Sequence, residues 1–318
     1  MTDLTAPRFH DEDAAREHIE ASRWPNGVAC PFCGSLNIRR MEGKTQAGMF
    51  LCNDCRDKFT CRTGTVMERS HIPLHKWLLA IHLMASSKKG VSAHQLMRNL
   101  DLGSYRTAWF LARRIREAMN PPEDDPPMGG KDKVVEADET FLGKQPYEFV
   151  SENRAGKPGW RKKSGTSDLT KVMTLVERGG RARSVHIPDL KAKTLRKVLV
   201  TNADRASELH TDEAPYYRKV GREFAKHETV NHRLEEYARG SVTTNTVEGF
   251  FSIFKRGMKG VYQHCDEKHL RRYLVEFDFR YSNRSALGVE DAERAARALK
   301  GAEGRRLMYR QPDCAGTC

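Results

Sequence analysis

The sequence predicts an α/β domain with a mixed sheet, preceded by a small zinc-bound ribbon and by a helical segment that resembles a helix-turn-helix. Three observations predict this arrangement. Two CxxC pairs lie near the N-terminus, and a stretch with helical periodicity follows them. After a proline-rich linker, the chain changes to short β-branched stretches that alternate with helices.

Composition and charge narrow the class of partner. The chain has 318 residues and a formal net charge of +13, with lysine and arginine spread along it. This length allows two or three domains, and the distributed charge favours nucleic acid, although a merely basic protein has the same composition. The apolar runs are too short for a membrane span and no secretory signal is visible, so we expect a cytoplasmic protein without membrane contact.

The N-terminal part is predicted to hold one helix in residues 1–27 and a zinc ribbon in residues 28–62. The ribbon carries two CxxC pairs: Cys30 and Cys33, Cys52 and Cys55. Four thiolates complete a tetrahedral zinc site with no open position, so the predicted zinc is structural. The segment has too little apolar material for a core of its own, and we expect it to fold only with the metal. A redox CxxC would explain one pair and leave the other without a role.

Residues 70–120 are predicted to be helical, and residues 121–132, rich in proline and glycine, to form a linker. The last helix has one apolar stripe: Ala108, Leu111, Ala112, Ile115 and Met119. Its arginines fall on the other face: Arg106, Arg113 and Arg114. A short turn at Gly103 joins this helix to the preceding one. The pair fits a helix-turn-helix that contacts DNA, and it also fits two packed helices whose arginines face water.

Residues 133–285 are predicted to form the α/β domain, and residues 286–318 a tail with one polar helix. The predicted strands lie in KVVEADETFLG, TKVMTLVERGG, RARSVHIPDL, SELHTD and AKHETVNH. The first three form a meander, because turn residues separate them closely. The later strands alternate with helices, which gives the sheet its mixed character.

Three acidic residues from separate parts of this domain suggest a metal site. Asp138 lies within a predicted strand, Asp212 ends another, and Glu248 opens a helix. Carboxylates are disfavoured in strands, and carboxylate oxygens are the ligands of Mg²⁺. Two such ions neutralise the attacking and leaving oxygens of phosphodiester chemistry. Each acid also has an ordinary explanation, and Glu248 stands at capping-box spacing from Asn245.

With their surroundings, these residues resemble a known family. The stretches VEADETFLG, HTDEAPYY and NTVEGFFSIFKRGMKGVYQH, followed by HLRRYLVEFDFRYSNR, closely resemble transposases of the IS1595 group, also described as ISXO2-like. The segment from CPFCG to REAM is similar to their N-terminal part, so the resemblance covers roughly residues 28–284. It implies an RNase H-like domain of the DDE type, in which Asp138, Asp212 and Glu248 are catalytic and hold two Mg²⁺ or Mn²⁺ ions.

The resemblance settles one ambiguity at the acids. Asp138 is followed by Glu139, and Asp212 by Glu213. Adjacent residues of a strand point to opposite faces, so only one of each pair can face the metals. The alternation of side chains along a strand does not show whether the aspartate or the glutamate of each pair faces the metals. The resemblance to the family favours the aspartates.

The resemblance also implies an activity and partners. The protein would bind double-stranded DNA at the ends of its own element, cut it and transfer the ends to target DNA, as at least a dimer. The predicted DNA contacts in this domain are Lys255, Arg256, Lys259 and His264 after the third acid, and Lys162 and Lys163 in a basic loop with Trp160. That loop suits phosphate contact and base stacking, or is simply solvated. A non-catalytic DNA-binding regulator and an RNase H-like nuclease acting on RNA or hybrids remain alternatives.

Overall fold

A computed structural model describes residues 2–43, 46–143, 147–151, 157–163, 165–231 and 238–308, and of Lys162 the backbone only. The internal contacts divide the chain into two units. Residues 1–123 and 283–318 form the first unit, and residues 124–282 form the second. The predicted domain boundaries remain predictions beside this coarser division.

The first unit contains the predicted ribbon. Helix α1 (Glu12–Arg23) begins at Asp11, whose carboxylate accepts the backbone N–H of Ala14 at 2.7 Å. Three short antiparallel strands follow: β1 (Ile38–Arg40), β2 (Met49–Cys52) and β3 (Lys58–Thr60). Their buried core consists of Cys30, Phe50, Cys52 and Phe59. So small a core agrees with the expectation that metal binding supplies most of the stability of this segment.

Three helices follow the ribbon in the same unit: α2 (Leu74–Ser86), α3 (Ala93–Asn99) and α4 (Tyr105–Ala118). Ser92 and Ser104 cap α3 and α4, each by accepting a backbone N–H three residues on. All five residues of the predicted apolar stripe on α4 are buried. The short α3–α4 connection agrees with the predicted helix pair.

The second unit is built on a five-stranded mixed sheet, as predicted. Its strands are β4 (Val134–Leu142), β7 (Thr170–Glu177), β8 (Ala182–Ile187), β9 (Glu208–Asp212) and β10 (Lys226–Val230). Their order in the sheet is β10-β9-β4-β7-β8. Strands β4, β9 and β10 are parallel, whereas β4, β7 and β8 form the predicted antiparallel meander.

Two small ribbons stand outside this sheet. Between β4 and β7 the chain forms β5 (Tyr147–Val150) and β6 (Gly159–Lys162), which pair only with each other among the described strands. The region around Lys162 was predicted to be a loop, and the structure corrects this to strand. The other ribbon pairs β11 (Ala238–Arg239) with β12 (Val242–Thr243).

Helices cover both faces of the sheet. They are α5 (Ala192–Asn202), α6 (Tyr217–Gly221), α7 (Asn245–Gly257) and α8 (Glu267–Ser282). Alternation along β7 shows the two faces: Met173 and Leu175 join the core under α5 and α6, whereas Val172 and Val176 join the core under α7 and α8. A single π-helical turn, Met258–Tyr262, continues α7.

The C-terminal part returns to the first unit. Helix α9 (Asp291–Lys300) is the predicted polar helix, and the buried Arg294 donates to the carbonyl oxygen of Ala85 on α2 at 3.3 Å. Beyond it, the backbone N–H of Gly304 donates to Gly64 O at 2.9 Å. Among the described helices, none combines the length and the apolar character that crossing a membrane requires.

Candidate functional site

The four cysteines of the ribbon form the first candidate site. Their sulfur atoms all lie within 4.8 Å of one another, with Sγ–Sγ distances of 3.7 Å for Cys30–Cys55 and 3.6 Å for Cys33–Cys52. Four thiolates bound to one zinc at about 2.3 Å lie about 3.8 Å apart at the corners of a tetrahedron. The donor set and its spacing therefore fit a structural zinc ion with no open position.

The predicted acids lie in the second unit. Asp138 is on β4 and Asp212 is the last residue of the parallel neighbour β9. The register pairs Glu136 with His210, and the same offset carried two residues further puts Asp138 level with Asp212. Glu248 lies in the first turn of α7 and is exposed.

Both aspartates share the sheet face that α7 covers. On β4, Val135 and Ala137 pack into the core under α5 and α6, so Glu136 and Asp138 project to the opposite face. On β9, Leu209 packs into that same core, so His210 and Asp212 project to the face that α7 covers. On β4, therefore, Asp138 and not Glu139 faces α7, and Asp212 at the end of β9 shares that face.

Sharing a face does not bring the three carboxylates into a tight cluster. Within the part of the chain that the structure describes, the cysteines are the only group of three or more His, Cys, Asp or Glu ligand atoms within 4.8 Å of one another. Each predicted acid instead accepts a local hydrogen bond. The donors are the backbone N–H of Glu139 to Asp138 at 2.7 Å, the backbone N–H of Ala214 to Asp212 at 3.1 Å, and the Thr244 hydroxyl to Glu248 at 2.9 Å. As a donor set, the acids fit hard divalent cations, which take carboxylate oxygens.

A fourth acid, Glu136, fixes the start of α7 on the sheet, and sequence reasoning missed it. Its side chain is fully buried and accepts the backbone N–H groups of Thr246 at 2.8 Å and Val247 at 3.1 Å. These N–H groups belong to the first turn, which has no partner of its own within the helix and carries positive partial charge. The Glu136 carboxylate thus ties the helix of Glu248 to the strand of Asp138.

Arg178, which follows β7, completes this anchor. Its guanidinium donates to Glu136 from Nε at 3.1 Å and from Nη2 at 2.6 Å. The same side chain donates to the carbonyl oxygens of Ser241 at 2.9 Å and Thr243 at 3.3 Å, in the segment that leads into α7. One buried ion pair therefore positions both the helix and its approach.

Glu139 lies on the other side of β4, beside α6. Its carboxylate accepts hydrogen bonds from the hydroxyls of Tyr216, at 3.1 Å, and Tyr217. Burial raises the pKa of Glu139 to about 8, although the hydrogen bond from Tyr217 acts to lower it. The negative charges of Asp138 and Asp212 also raise this pKa. The charges of Asp138 and Asp212 thus act on Glu139 from the opposite face of the sheet.

The face of α7 away from the core carries the predicted basic residues. Val247, Phe250 and Phe254 are buried on its core side. Exposed side chains follow along the helix and its π turn: Lys255, Arg256, Lys259 and His264. Just after β6, the Lys163 ammonium group lies 2.6 Å from the Asp168 carboxylate. The Lys162 side chain lies outside the described residues.

The arginines predicted to contact DNA from α4 differ in exposure. Arg106 is exposed and Arg113 half-buried, its guanidinium lying 4.4 Å from the Trp109 ring centroid. Arg114 is buried and donates to Leu307 O at 3.2 Å and to Glu68 O at 2.7 Å. Because its guanidinium is held by carbonyl oxygens inside the unit, we withdraw Arg114 from the predicted DNA contacts.

Comparison with known proteins relates both parts of the chain to transposases. Residues 129–282 match the ISXO2-like transposase domain, and residues 10–58 match the transposase zinc-ribbon domain. A protein of Halobacterium salinarum, described as an uncharacterized protein in transposable element ISH50, is 30% identical over 280 residues. The match covers 86% of this chain and 91% of that relative.

Among solved structures, similarity extends to a chain of the simian T-cell lymphotropic virus intasome in complex with PP2A regulatory subunit B56 gamma. That match has 14% identity and a TM-score of 0.29, and it covers 57% of this chain and 63% of that chain. A likeness at this level carries no structural argument. The two domain matches and the relative from a transposable element are sufficient without it: the chain belongs to the IS1595 family of ISXO2-like transposases.

Proposed function

We propose that the chain is the transposase of an insertion sequence. It binds the terminal inverted repeats of its element as double-stranded DNA, cleaves a strand at each end and transfers that strand to target DNA, with a divalent metal as cofactor. The observation that carries this proposal is the placement of Asp138 and Asp212 on one face of neighbouring parallel strands, with Glu248 on the helix docked to that face.

In this proposal the predicted domain 133–285 is an RNase H-like catalytic domain. Asp138, Asp212 and Glu248 are the residues that would hold Mg²⁺ or Mn²⁺. When bound, two such ions supply positive charge to the attacking and leaving oxygens of phosphoryl transfer. Glu136 and Arg178 do not take part in the chemistry; they set the position of Glu248 relative to the two aspartates.

The remaining polar residues of the site bind the substrate. Lys255 stands two helical turns after Glu248 and is exposed, so it is placed to hold a DNA phosphate beside the acids. Arg256, Lys259 and His264 extend the contact along the backbone. The reaction begins when water attacks the phosphodiester at the end of the element, the P–O3′ bond breaks and a 3′-hydroxyl leaves. That hydroxyl then attacks a target phosphodiester, whose own 3′-oxygen is displaced.

The first unit would recognise the element ends. In this proposal the zinc ribbon and the α3–α4 pair contact the terminal repeats, with Arg106 and Arg113 among the contacts. Cutting and joining two ends together requires two active sites, so we propose that the protein acts as a homo-oligomer on DNA. Distributed phosphate contacts of this kind make affinity fall steeply with salt.

The test is a cleavage and strand-transfer assay with purified protein. A donor duplex carrying the element ends is incubated with Mg²⁺ or Mn²⁺, and wild type is compared with Asp138→Asn. We expect cut ends and joined product from wild type and neither from the variant. An Asp189→Asn variant, which makes the same change at a partly exposed aspartate before α5, is the matched control and should keep its activity.

The same assay separates the alternatives. End-specific binding without cleavage would indicate a non-catalytic regulator. Cleavage of RNA–DNA hybrids with no effect on the donor duplex would indicate a nuclease of another kind. Equal activity of Asp138→Asn and wild type would exclude the site described above.

A further inference from the structure

The β5–β6 ribbon exposes an unusual amount of aromatic surface. Tyr147 is 59% exposed, Phe149 61% and Trp160 69%, and they are three of the eight large hydrophobic side chains exposed among the described residues. They lie within two short strands that pair with each other and with no other described strand. Two strands alone cannot bury an aromatic face, so this face is available to a partner.

The three rings lie on one face of the ribbon. The register places Phe149 opposite Trp160, and the rings meet edge to face at 5.7 Å. Tyr147 is two residues before Phe149 and so shares its face. The opposite face carries an ion pair, in which Arg161 Nε lies 2.9 Å from the Glu148 carboxylate. The ribbon therefore has one aromatic face and one charged face.

The surrounding charge indicates which partner fits. The segment from 147 to 163 contains five basic and two acidic residues. Among the described side chains of this segment, Lys157 and Arg161 are exposed, Arg161 on the face opposite the rings. An apolar protein partner would gain nothing from this positive charge, whereas a nucleic acid strand offers both phosphates and flat bases. Only unpaired bases expose the faces on which aromatic rings stack.

The length of chain between Asp138 and the ribbon limits how far apart they can lie. The ribbon belongs to the same unit as the sheet, and the chain enters it directly from β4, the strand of Asp138. Tyr147 comes nine residues after Asp138, and at up to about 3.5 Å per residue their backbones lie within about 32 Å of each other. That span is about the length of nine base-pair steps at 3.4 Å per step, so one DNA segment can reach both places.

We propose that the aromatic face of the β5–β6 ribbon, formed by Tyr147, Phe149 and Trp160, is a stacking site for unpaired bases of the DNA that the acids act on. Lys157, two residues before β6, supplies positive charge to the adjacent phosphates. This inference rests on the proposed function for the identity of the DNA, and it adds that strand separation near the cut is recognised by the protein itself.

The test compares two probes with the full, zinc-loaded chain in the absence of Mg²⁺ and Mn²⁺, so that no strand is cut. One probe is a duplex with a short single-stranded dT tail, and the other is the blunt duplex of the same sequence. We expect wild type to bind the tailed probe roughly tenfold or more tightly than the blunt probe, in line with the stacking of one or more bases. Trp160→Ala and Phe149→Ala should lose this preference and bind the blunt probe as wild type does.

Two further variants identify the nature of the contact. Trp160→Tyr keeps an aromatic ring and should retain the preference, whereas Trp160→Leu keeps an apolar side chain without a ring and should lose it. If Trp160→Leu or Trp160→Ala keeps the preference for the tailed probe, base stacking on Trp160 is excluded. Loss of self-association in sedimentation experiments by the alanine variants, with the tail preference intact, would show that the face binds a second copy and would also overturn the inference.

The outcome is separable from that of the proposed function. A ring-dependent tail preference in a protein that cuts no donor DNA would support the stacking site and refute the transposase reaction. Cleavage of donor DNA by a protein with no tail preference would support the transposase reaction and refute the stacking site. A chain that binds neither probe would refute both.

Discussion

Replacing Glu136 by alanine should release the start of α7 from the sheet. The carboxylate accepts four hydrogen bonds at 2.6 to 3.1 Å from the Arg178 guanidinium and from the backbone N–H groups of Thr246 and Val247. A fifth comes from the Thr246 hydroxyl at 2.8 Å. Alanine removes every one of these acceptors and leaves an arginine without its anion beside two helix N–H groups without partners.

The expected cost follows from burial. Glu136 is fully buried and the Arg178 side chain is 31% exposed. Removing one partner of a buried ion pair costs about 3 to 5 kcal/mol, and since water reaches Arg178 we expect about 3 kcal/mol for Glu136→Ala. Glu136→Gln keeps one acceptor oxygen and should cost about 1 to 3 kcal/mol. Glu148→Gln, which breaks an exposed Glu–Arg pair, should cost less than about 1 kcal/mol.

Hydrogen exchange measures this effect locally, which suits a chain of two units whose unfolding need not be two-state. A loss of about 3 kcal/mol should make the amides of Thr246 and Val247 exchange roughly 100-fold faster in Glu136→Ala. Donor cleavage should fall with it, because Glu248 loses its position. Exchange at the wild-type rate in the peptide spanning β12 and the first turn of α7, or equal acceleration by Glu148→Gln, would show that Glu136 does not hold the start of α7.

Three further predictions concern other parts of the chain. Chelating the zinc should unfold the zinc ribbon and shift the Trp24 fluorescence emission to the red, because the Trp24 ring packs edge to face on Phe50 at 5.6 Å. Added zinc should reverse the shift, and unchanged emission after verified metal loss would contradict the prediction. Glu248→Gln should leave the free energy of unfolding, measured by urea denaturation, within about 0.5 kcal/mol of wild type and lower donor cleavage roughly 100-fold. Normal cleavage would exclude Glu248 from the site. Burial raises the pKa of Asp278 to about 7, above its ordinary value of 3.8, so its contribution to stability is fully present below about pH 4 and is lost as the pH rises through 7. Asp278→Asn should reduce the loss of unfolding free energy between about pH 4 and pH 8 by at most about 4 kcal/mol. If the urea midpoints of wild type and variant change with pH in the same way over this range, the pKa of the Asp278 carboxyl is not raised.

Local patterns in the sequence were sufficient for the elements that local physics determines. The β-branched meander and the apolar stripe on α4 each follow from side-chain periodicity, and the structure confirms them. The cysteine spacing likewise determines the zinc site, since four thiolates on two tight turns have few other arrangements. What periodicity does not contain is which side chain far along the chain will pair with a given one.

Arg114 and Glu136 show this limit from opposite directions. Arg114 reads as a surface arginine because it lies outside the apolar stripe, and only the carbonyl oxygens of Leu307 and Glu68 reveal that it is buried. Glu136 reads as one more acid in an acidic strand. A signal was present, since a glutamate flanked by Val135 and Ala137 in a central strand must find a partner, but that partner lies 42 residues away.

The anchor at Glu136 also decides what Glu248 does. From the sequence, Glu248 could have been one half of a capping box whose other half was Asn245. In the structure, α7 begins at Asn245 itself, and its N-cap, Thr244, makes no side-chain capping bond to the backbone. The N–H groups of Thr246 and Val247 that a cap would satisfy are bonded to Glu136 instead. The Glu136 carboxylate on β4 thus takes the place of a side-chain cap, and Glu248 instead accepts a hydrogen bond from the hydroxyl of Thr244 at 2.9 Å. The metal-binding role proposed for Glu248 therefore stays a prediction, which the cleavage assay of Glu248→Gln tests.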